Sequence, residues 1–106
     1  MTFQLGTVLL DACVLSILSQ KDTYGYNLTQ SIKDIINVSE STLYPVLRRL
    51  QKENYLITYD ESYQGRNRRY YQITTLGKEK LQEYKDDWAK YKQKVDTILG
   101  GNYKNE

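Results

Sequence analysis

Ser41-Thr42-Leu43-Tyr44-Pro45-Val46-Leu47-Arg48-Arg49-Leu50 is the stretch on which the reading of this 106-residue chain turns. Leu43, Val46, Leu47 and Leu50 stand at i, i+3, i+4 and i+7, so a helix here buries one stripe against the rest of the domain. At about 3.6 residues per turn, Ser41, Tyr44, Pro45, Arg48 and Lys52 fall on or near the opposite side, flanked by Thr42 and Arg49. That side is polar, basic and aromatic. Ser39 or Ser41 can cap the helix, and Asn54, which tolerates the left-handed conformation, suits its end. A proline costs about 3 kcal/mol in a helix interior and little in the first turn. Pro45 therefore implies a helix that begins near Ser41 or Thr42, or one whose start is distorted.

Upstream, residues 4–19 hold Leu5, Val8, Leu9, Ala12, Cys13, Leu15, Ile17 and Leu18, with no proline and only Gly6. They read as a first helix, apolar around most of its circumference and needing cover on several sides. Thr23 can cap a second helix whose apolar positions are Leu28, Ile32, Ile35 and Ile36, with Asn37 and Val38 as a short connection. Downstream, Tyr55, Ile57 and Tyr59 alternate with Leu56 and Thr58, and residues 69–74 alternate likewise, so both runs read as strands. Gln64-Gly65-Arg66-Asn67 lies between them, which makes residues 55–74 a hairpin with a basic tip. A last helix runs from Thr74 or Thr75 to about Leu99, closed by Gly100 and Gly101 and followed by a polar tail expected to fray.

In that last helix Leu81, Tyr84, Trp88, Tyr91, Val95 and Ile98 are spaced 3, 4, 3, 4, 3, a heptad seam. A helix roughly 36 Å long is more than a small domain covers alone. A narrow seam serves either a partner chain or the domain's own core; with the helix this long and the first helix apolar, a homodimer is expected.

Fifteen Lys and Arg stand against 13 Asp and Glu, a net charge of +2, and 40% of the residues are hydrophobic. This suits one compact domain with a modest core that leans on a partner subunit. All five arginines, Arg48, Arg49, Arg66, Arg68 and Arg69, fall within 22 positions. Residues 48–69 carry +3 while the other 84 residues total −1. A charge run alone suits a solvated face, but here it coincides with the outer helix face and the hairpin tip, which points to nucleic acid.

The chain has no histidine, which removes the commonest general base, the usual zinc sites and every Ser/His or Cys/His nucleophile pair. Asp86-Asp87 and Asp60-Glu61 are paired acids without a ligand cluster and read as solvated charge, so no enzyme, metal or cofactor is expected. Cys13 among apolar neighbours reads as a buried, inert thiol. The apolar stretch 8–18 contains Asp11 and Ser16, and no Lys or Arg precedes Lys21. Neither a signal peptide nor a membrane span fits, and a cytoplasmic protein is expected.

Three helices followed by a two-stranded hairpin form a fold that is mainly α with a β-hairpin. The layout is that of a winged helix-turn-helix over residues 1–74, followed by a C-terminal dimerisation helix and polar tail over residues 75–106. Its third helix, about 10 Å across, fits a major groove about 12 Å wide.

Tyr24-Gly25-Tyr26, the stretch from Ser41 to Leu50, Arg68-Arg69-Tyr70-Tyr71-Gln72-Ile73-Thr74 and Gly77 together resemble the PadR family of bacterial transcriptional regulators. The resemblance spans roughly residues 5–99, and the single C-terminal helix is similar to the short PadR subfamily. Gln51 and Asn54 stand where the family usually shows Glu and Gly. The resemblance implies a dimeric repressor that binds an inverted-repeat operator, some members being released by small molecules. By position it implies DNA contacts at Ser39, Ser41, Thr42, Tyr44, Pro45, Arg48 and Arg49, wing contacts at Arg66, Asn67 and Arg68, and Tyr24 and Gly25 near phosphate. Tyr26 reads instead as packing between helices, and at least one of Tyr70 and Tyr71 as core.

A tryptophan at the place of Trp88 in some short members faces its symmetry mate across a pore. That implies an aromatic-ligand slot at Trp88, Leu9 and Tyr91, against the plainer reading of a tryptophan filling the interface. Lys92, one turn on, would disfavour cationic compounds if it lines such a slot. The alternative function is a winged-helix protein interaction module without specific DNA binding.

Overall fold

The computed structural model describes residues 7–101, so the expectations for Leu5, Gly6 and the polar tail lie outside the described residues. The helix of α1 (Thr7–Gln20) leads through β1 (Thr23–Tyr24) directly into α2 (Gly25–Lys33). Then come α3 (Glu40–Lys52), β2 (Leu56–Tyr63), β3 (Arg66–Ile73) and α4 (Thr75–Leu99). This is a mainly α fold with a β-hairpin wing, and among the described residues no helix is long and apolar enough to cross a membrane.

Ser39 starts α3: its Oγ accepts from the Thr42 N–H at 3.3 Å, one of the donors a helix start leaves over. Pro45 is thus the sixth helical residue, not a first-turn residue, and the helix starts earlier than Ser41. The stripe is buried as the spacing requires, with Leu43 0%, Val46 6%, Leu47 1% and Leu50 0% exposed. Beyond the helix Asn54 takes φ 65°, which turns the chain sharply into β2.

The sheet has the order β1-β3-β2, antiparallel throughout, and β2 pairs β3 from Leu56↔Ile73 to Tyr63↔Arg66. The hairpin turn is therefore only Gln64-Gly65, with φ 51° and 77°, two left-handed residues whose twist matches that of the strands. Arg66 and Asn67, expected in the loop, lie in β3. Strand β1 was not expected. Thr23 is in it rather than capping α2, whose cap position is Tyr24 with no side-chain hydrogen bond. The Thr23 hydroxyl instead donates to the Lys21 carbonyl at 3.2 Å.

Alternation assigns the two sheet faces. Leu56, Ile73, Tyr71 and Thr23 turn toward the helices, and Leu56, Ile73 and Thr23 are buried. Tyr24, Tyr59, Tyr63, Arg68 and Tyr70 share the other face. The core gathers Leu10, Val14, Leu15 and Leu18 of α1 with Leu28, Ile32, the α3 stripe, Leu81 and Tyr84. Helix α2 ends before Ile35, which is 85% exposed rather than on a buried stripe.

Thr74 caps α4, accepting from the Gly77 N–H at 2.9 Å and donating to the Asn54 carbonyl at 2.7 Å. Leu81 and Tyr84, both 5% exposed, belong to this chain's own core through packing on α1. Further along α4, Trp88 is 38%, Ile98 61% and Leu99 80% exposed, while Tyr91 and Val95 are half-buried.

Candidate nucleic-acid interface

Because the apolar stripe of α3 anchors one side, its outward side is set by helix geometry. Ser41, Thr42, Pro45, Arg48 and Lys52 are exposed and Tyr44 is half-buried. At the start of the helix the Ser39 Oγ lies 2.9 Å from the Ser41 Oγ and 3.0 Å from the Thr42 Oγ1. These three hydroxyls form a compact polar end.

Beside α3 opens a cleft of about 560 Å³ between the start of α2, Tyr44 and the wing. Tyr24, Gly25, Tyr44, Arg66, Asn67 and Arg68 all line it, so six residues read as contacts from sequence converge on one concavity. Arg69, Tyr26 and Tyr71 line it too. Ser39, Ser41, Thr42, Pro45 and Arg48 lie instead along the convex side of α3. Tyr26 is 62% exposed, so it does not pack between helices, while Tyr71 does pack against the core. Among the described residues only Thr23 and Tyr24 pair with β3 on its cleft side, which leaves residues 66–69 as a strand edge. Gly25 has the Tyr71 ring 3.4 Å from where a Cβ would be, so its lack of a side chain gives the tyrosine room.

The wing cations are not alike. Arg69 stands 3.5 Å from the Asp60 carboxylate, both exposed, whereas Arg68 is held between two rings, 4.2 Å from the Tyr24 centroid and 3.9 Å from that of Tyr63. Tyr24 meets Tyr70 edge-on at 5.8 Å, and Tyr70 stacks on Tyr59 at 5.5 Å. The Tyr59 hydroxyl donates to Asp22 at 2.6 Å, and Gln72 Nε2 donates to the same oxygen at 3.1 Å. The bond to Asp22 favours the neutral phenol, so the Tyr59 pKa is pushed up to about 12. This row of rings stiffens the wing from β1 to β2, a consequence of residues 59, 63, 68 and 70 sharing one face.

Arg49, read from sequence as a DNA contact, is engaged with the protein: both terminal nitrogens reach the Asp11 carboxylate, Nη1 at 3.0 Å. Asp11 is 2% exposed and escaped the sequence reading as a functional residue. Its one signal there was an acid within an otherwise apolar helix.

Leu9 and Trp88, two of the three candidate ligand residues, line a hollow of about 210 Å³ between α1 and α4 with Ala12, Cys13, Ser16, Leu81, Tyr84 and Lys85. Tyr91 is not in its wall but stands 6.3 Å from the Trp88 ring. Cys13, expected to be buried, is half-buried, and desolvation pushes its thiol above the usual pKa. Among the described residues no group of three His, Cys, Asp or Glu side chains is placed to hold a metal ion.

Residues 14–83 match the model of the transcriptional regulator PadR-like family. A transcriptional regulator of Mycobacterium tuberculosis is 32% identical over 89 residues, covering 83% of this chain and 80% of that protein. Among solved structures, a protein of Streptococcus mutans UA159 superposes with a TM-score of 0.87 at 39% identity over the whole of both chains. A PadR-like transcriptional regulator of Bacillus cereus superposes with a TM-score of 0.78 at 36% identity, covering 86% of this chain and 91% of that one. The Mycobacterium tuberculosis and Bacillus cereus proteins are transcriptional regulators, and PadR-like regulators are not enzymes. With the matched residues running from the first helix through the wing into the last helix, the chain belongs to the PadR-like family of transcriptional regulators.

Proposed function

We propose that this chain is a homodimeric, sequence-specific DNA-binding repressor, with α3 of each copy in a major groove of an inverted-repeat operator and the wing along the adjoining backbone. The observation that carries this reading is the outward side of α3. Ser41, Thr42 and Arg48 are exposed there beside a cleft lined by Arg66 and Arg68, while the opposite side of the helix is sealed in the core. Arg48 suits guanine edges or phosphate, and Thr42 and Tyr44 suit a thymine methyl. Ser39, Pro45 and Asn67 complete the contact surface, and Tyr24 and Gly25 meet phosphate.

Residues 1–74 form the DNA-binding unit and residues 75–106 the dimerisation helix and tail. Trp88, Tyr91, Val95 and Ile98 meet the partner copy, whereas Leu81 and Tyr84 mainly hold α4 to α1. Exposed apolar surface at Trp88, Ile98 and Leu99 supports that division. A small aromatic ligand fits the hollow shared by Leu9 and Trp88, where it releases the operator. The protein acts in the cytoplasm.

Selection of duplexes from a random pool, followed by mobility shift, tests the reading. The expected product is an inverted repeat with half-sites roughly 34 Å apart and a steep loss of affinity with salt. Weak, sequence-indifferent binding, together with unchanged binding by a folded Tyr44→Ala, Arg48→Ala double variant, would overturn it in favour of a protein interaction module.

A further inference from the structure

Behind the outward side of α3, three helices meet on one carboxylate. Asp11 of α1 accepts from Arg49 of α3 through both oxygens and from the Tyr84 hydroxyl of α4 at 3.2 Å. Asp11 is 2% exposed and Tyr84 5%, and Arg49 closes the group toward solvent, its Nη1 also 3.9 Å from Glu53. Burial, followed by the neighbouring Asp11, pushes Tyr84 above the ordinary phenol range, and the hydrogen bond to Asp11 raises Arg49. At neutral pH the Arg49 guanidinium therefore stays charged and the Tyr84 phenol stays neutral.

A buried ion pair adds little net stability compared with apolar packing, but a two-pronged guanidinium–carboxylate pair has essentially one geometry. It fixes how far α3 is rolled about its own axis. A roll of about 10° on a helix about 5 Å in radius moves its outer groups by about 1 Å, enough to lose a hydrogen bond to a base edge. Arg48 is the next residue, about 100° further around the helix and exposed, so its direction follows that roll.

We propose that Asp11 is a positioning residue for DNA recognition: through the Arg49 fork, steadied by Tyr84, it sets the roll of α3 against α1 and α4. Arg49 supports affinity through this tie and not by touching DNA. The inference rests on the reading of α3 as the DNA-contacting helix.

The test compares full-length wild-type protein with Asp11→Asn, Arg49→Gln, Arg49→Lys and the Asp11→Asn, Arg49→Gln double variant. The probe is a duplex selected by the wild type, and circular dichroism establishes that each variant is folded at the assay temperature. Each single variant should lose about tenfold in affinity, the double variant no more than the worse single, with the salt slope unchanged. Arg49→Lys should lose as much as Arg49→Gln, because a lysine keeps the charge but not the fork.

A salt slope reduced by about one unit in Arg49→Gln, additive losses, or full affinity in Arg49→Lys would overturn the proposal, since each marks a direct phosphate contact. Wild-type affinity in all folded variants would overturn it as well. If Asp11→Asn does not fold, the apolar pair Asp11→Leu with Arg49→Met replaces it; reduced affinity in that folded protein supports the proposal and full affinity sinks it. A wild type that selects no duplex would overturn the DNA reading and the proposal with it.

Discussion

The carbonyl oxygen of Tyr55 occupies the space where a side chain on Gly77 would stand. The same oxygen accepts the Thr74 N–H at 3.1 Å, and the Thr74 hydroxyl donates to the Asn54 carbonyl, so the start of α4 is fastened to the residues just before β2. A Cβ on Gly77 would overlap that oxygen and come within 2.8 Å of the Ile73 Cγ1. The Tyr55 oxygen is backbone and the Ile73 side chain is packed in the core, so neither is a free side-chain end that can swing away.

Gly77→Ala should therefore destabilise the fold by roughly 3 kcal/mol through overpacking, although alanine is the better helix former. Urea unfolding measures this, and an unchanged or raised midpoint would mean that the contact is looser than described.

Gln64 has φ 51° in the two-residue turn, a conformation that asparagine and glycine adopt at lower cost than glutamine. Gln64→Asn should stabilise the protein by roughly 0.5 to 1 kcal/mol without changing DNA affinity. The thermal midpoint is the readout; a lowered midpoint contradicts the turn assignment.

Arg68, held between the rings of Tyr24 and Tyr63, should not tolerate lysine. Arg68→Lys keeps the charge and loses the planar stack, worth roughly 0.5 to 1 kcal/mol at a partly exposed site. Titration with an operator duplex should show a two- to fivefold loss at an unchanged salt slope, and equal affinity would show that the rings do not orient the cation.

Alkaline pH should loosen the wing. The Tyr59 pKa is about 12 in the fold, chiefly because its hydroxyl donates to Asp22, against about 10 for a free tyrosine. A raised folded-state value means its contribution is fully present below about pH 10 and is lost as the pH rises through 12. Tyr84, raised chiefly by burial, acts in the same direction. Urea midpoints of the wild type should fall above pH 10, and those of Tyr59→Phe should fall less steeply. Parallel curves would contradict this.

Helix α3, the hairpin and the length of α4 were legible because each is written in a local period or terminus. Leu43, Val46, Leu47 and Leu50 define a stripe, Ser39 a cap, and Gly100 and Gly101 an end. Strand β1 has no such signal: two residues carry no period, and Thr23 and Tyr24 become a strand only because β3 presents its edge to them. The tight turn was missed because glutamine is not a residue that announces positive φ; the register continuing to Tyr63↔Arg66 imposes it. The heptad on α4 was ambiguous in kind, since a narrow apolar seam fits a partner chain or a core equally well. Leu81 and Tyr84 meet α1 of their own chain because the Gly77 contact brings the start of α4 against the domain.

Periodicity, capping residues and turn formers act over a few positions, so the linear order of residues was enough to establish three helices, a basic wing, a long last helix and the outward residues of α3. It could not distinguish Arg48 from Arg49. Adjacent in the chain and identical in chemistry, they part only when packing brings to one of them a carboxylate 38 positions away, itself held by a phenol on α4, and leaves the other in solvent. Contacts across such distances depend on how whole helices dock, and no local pattern records that.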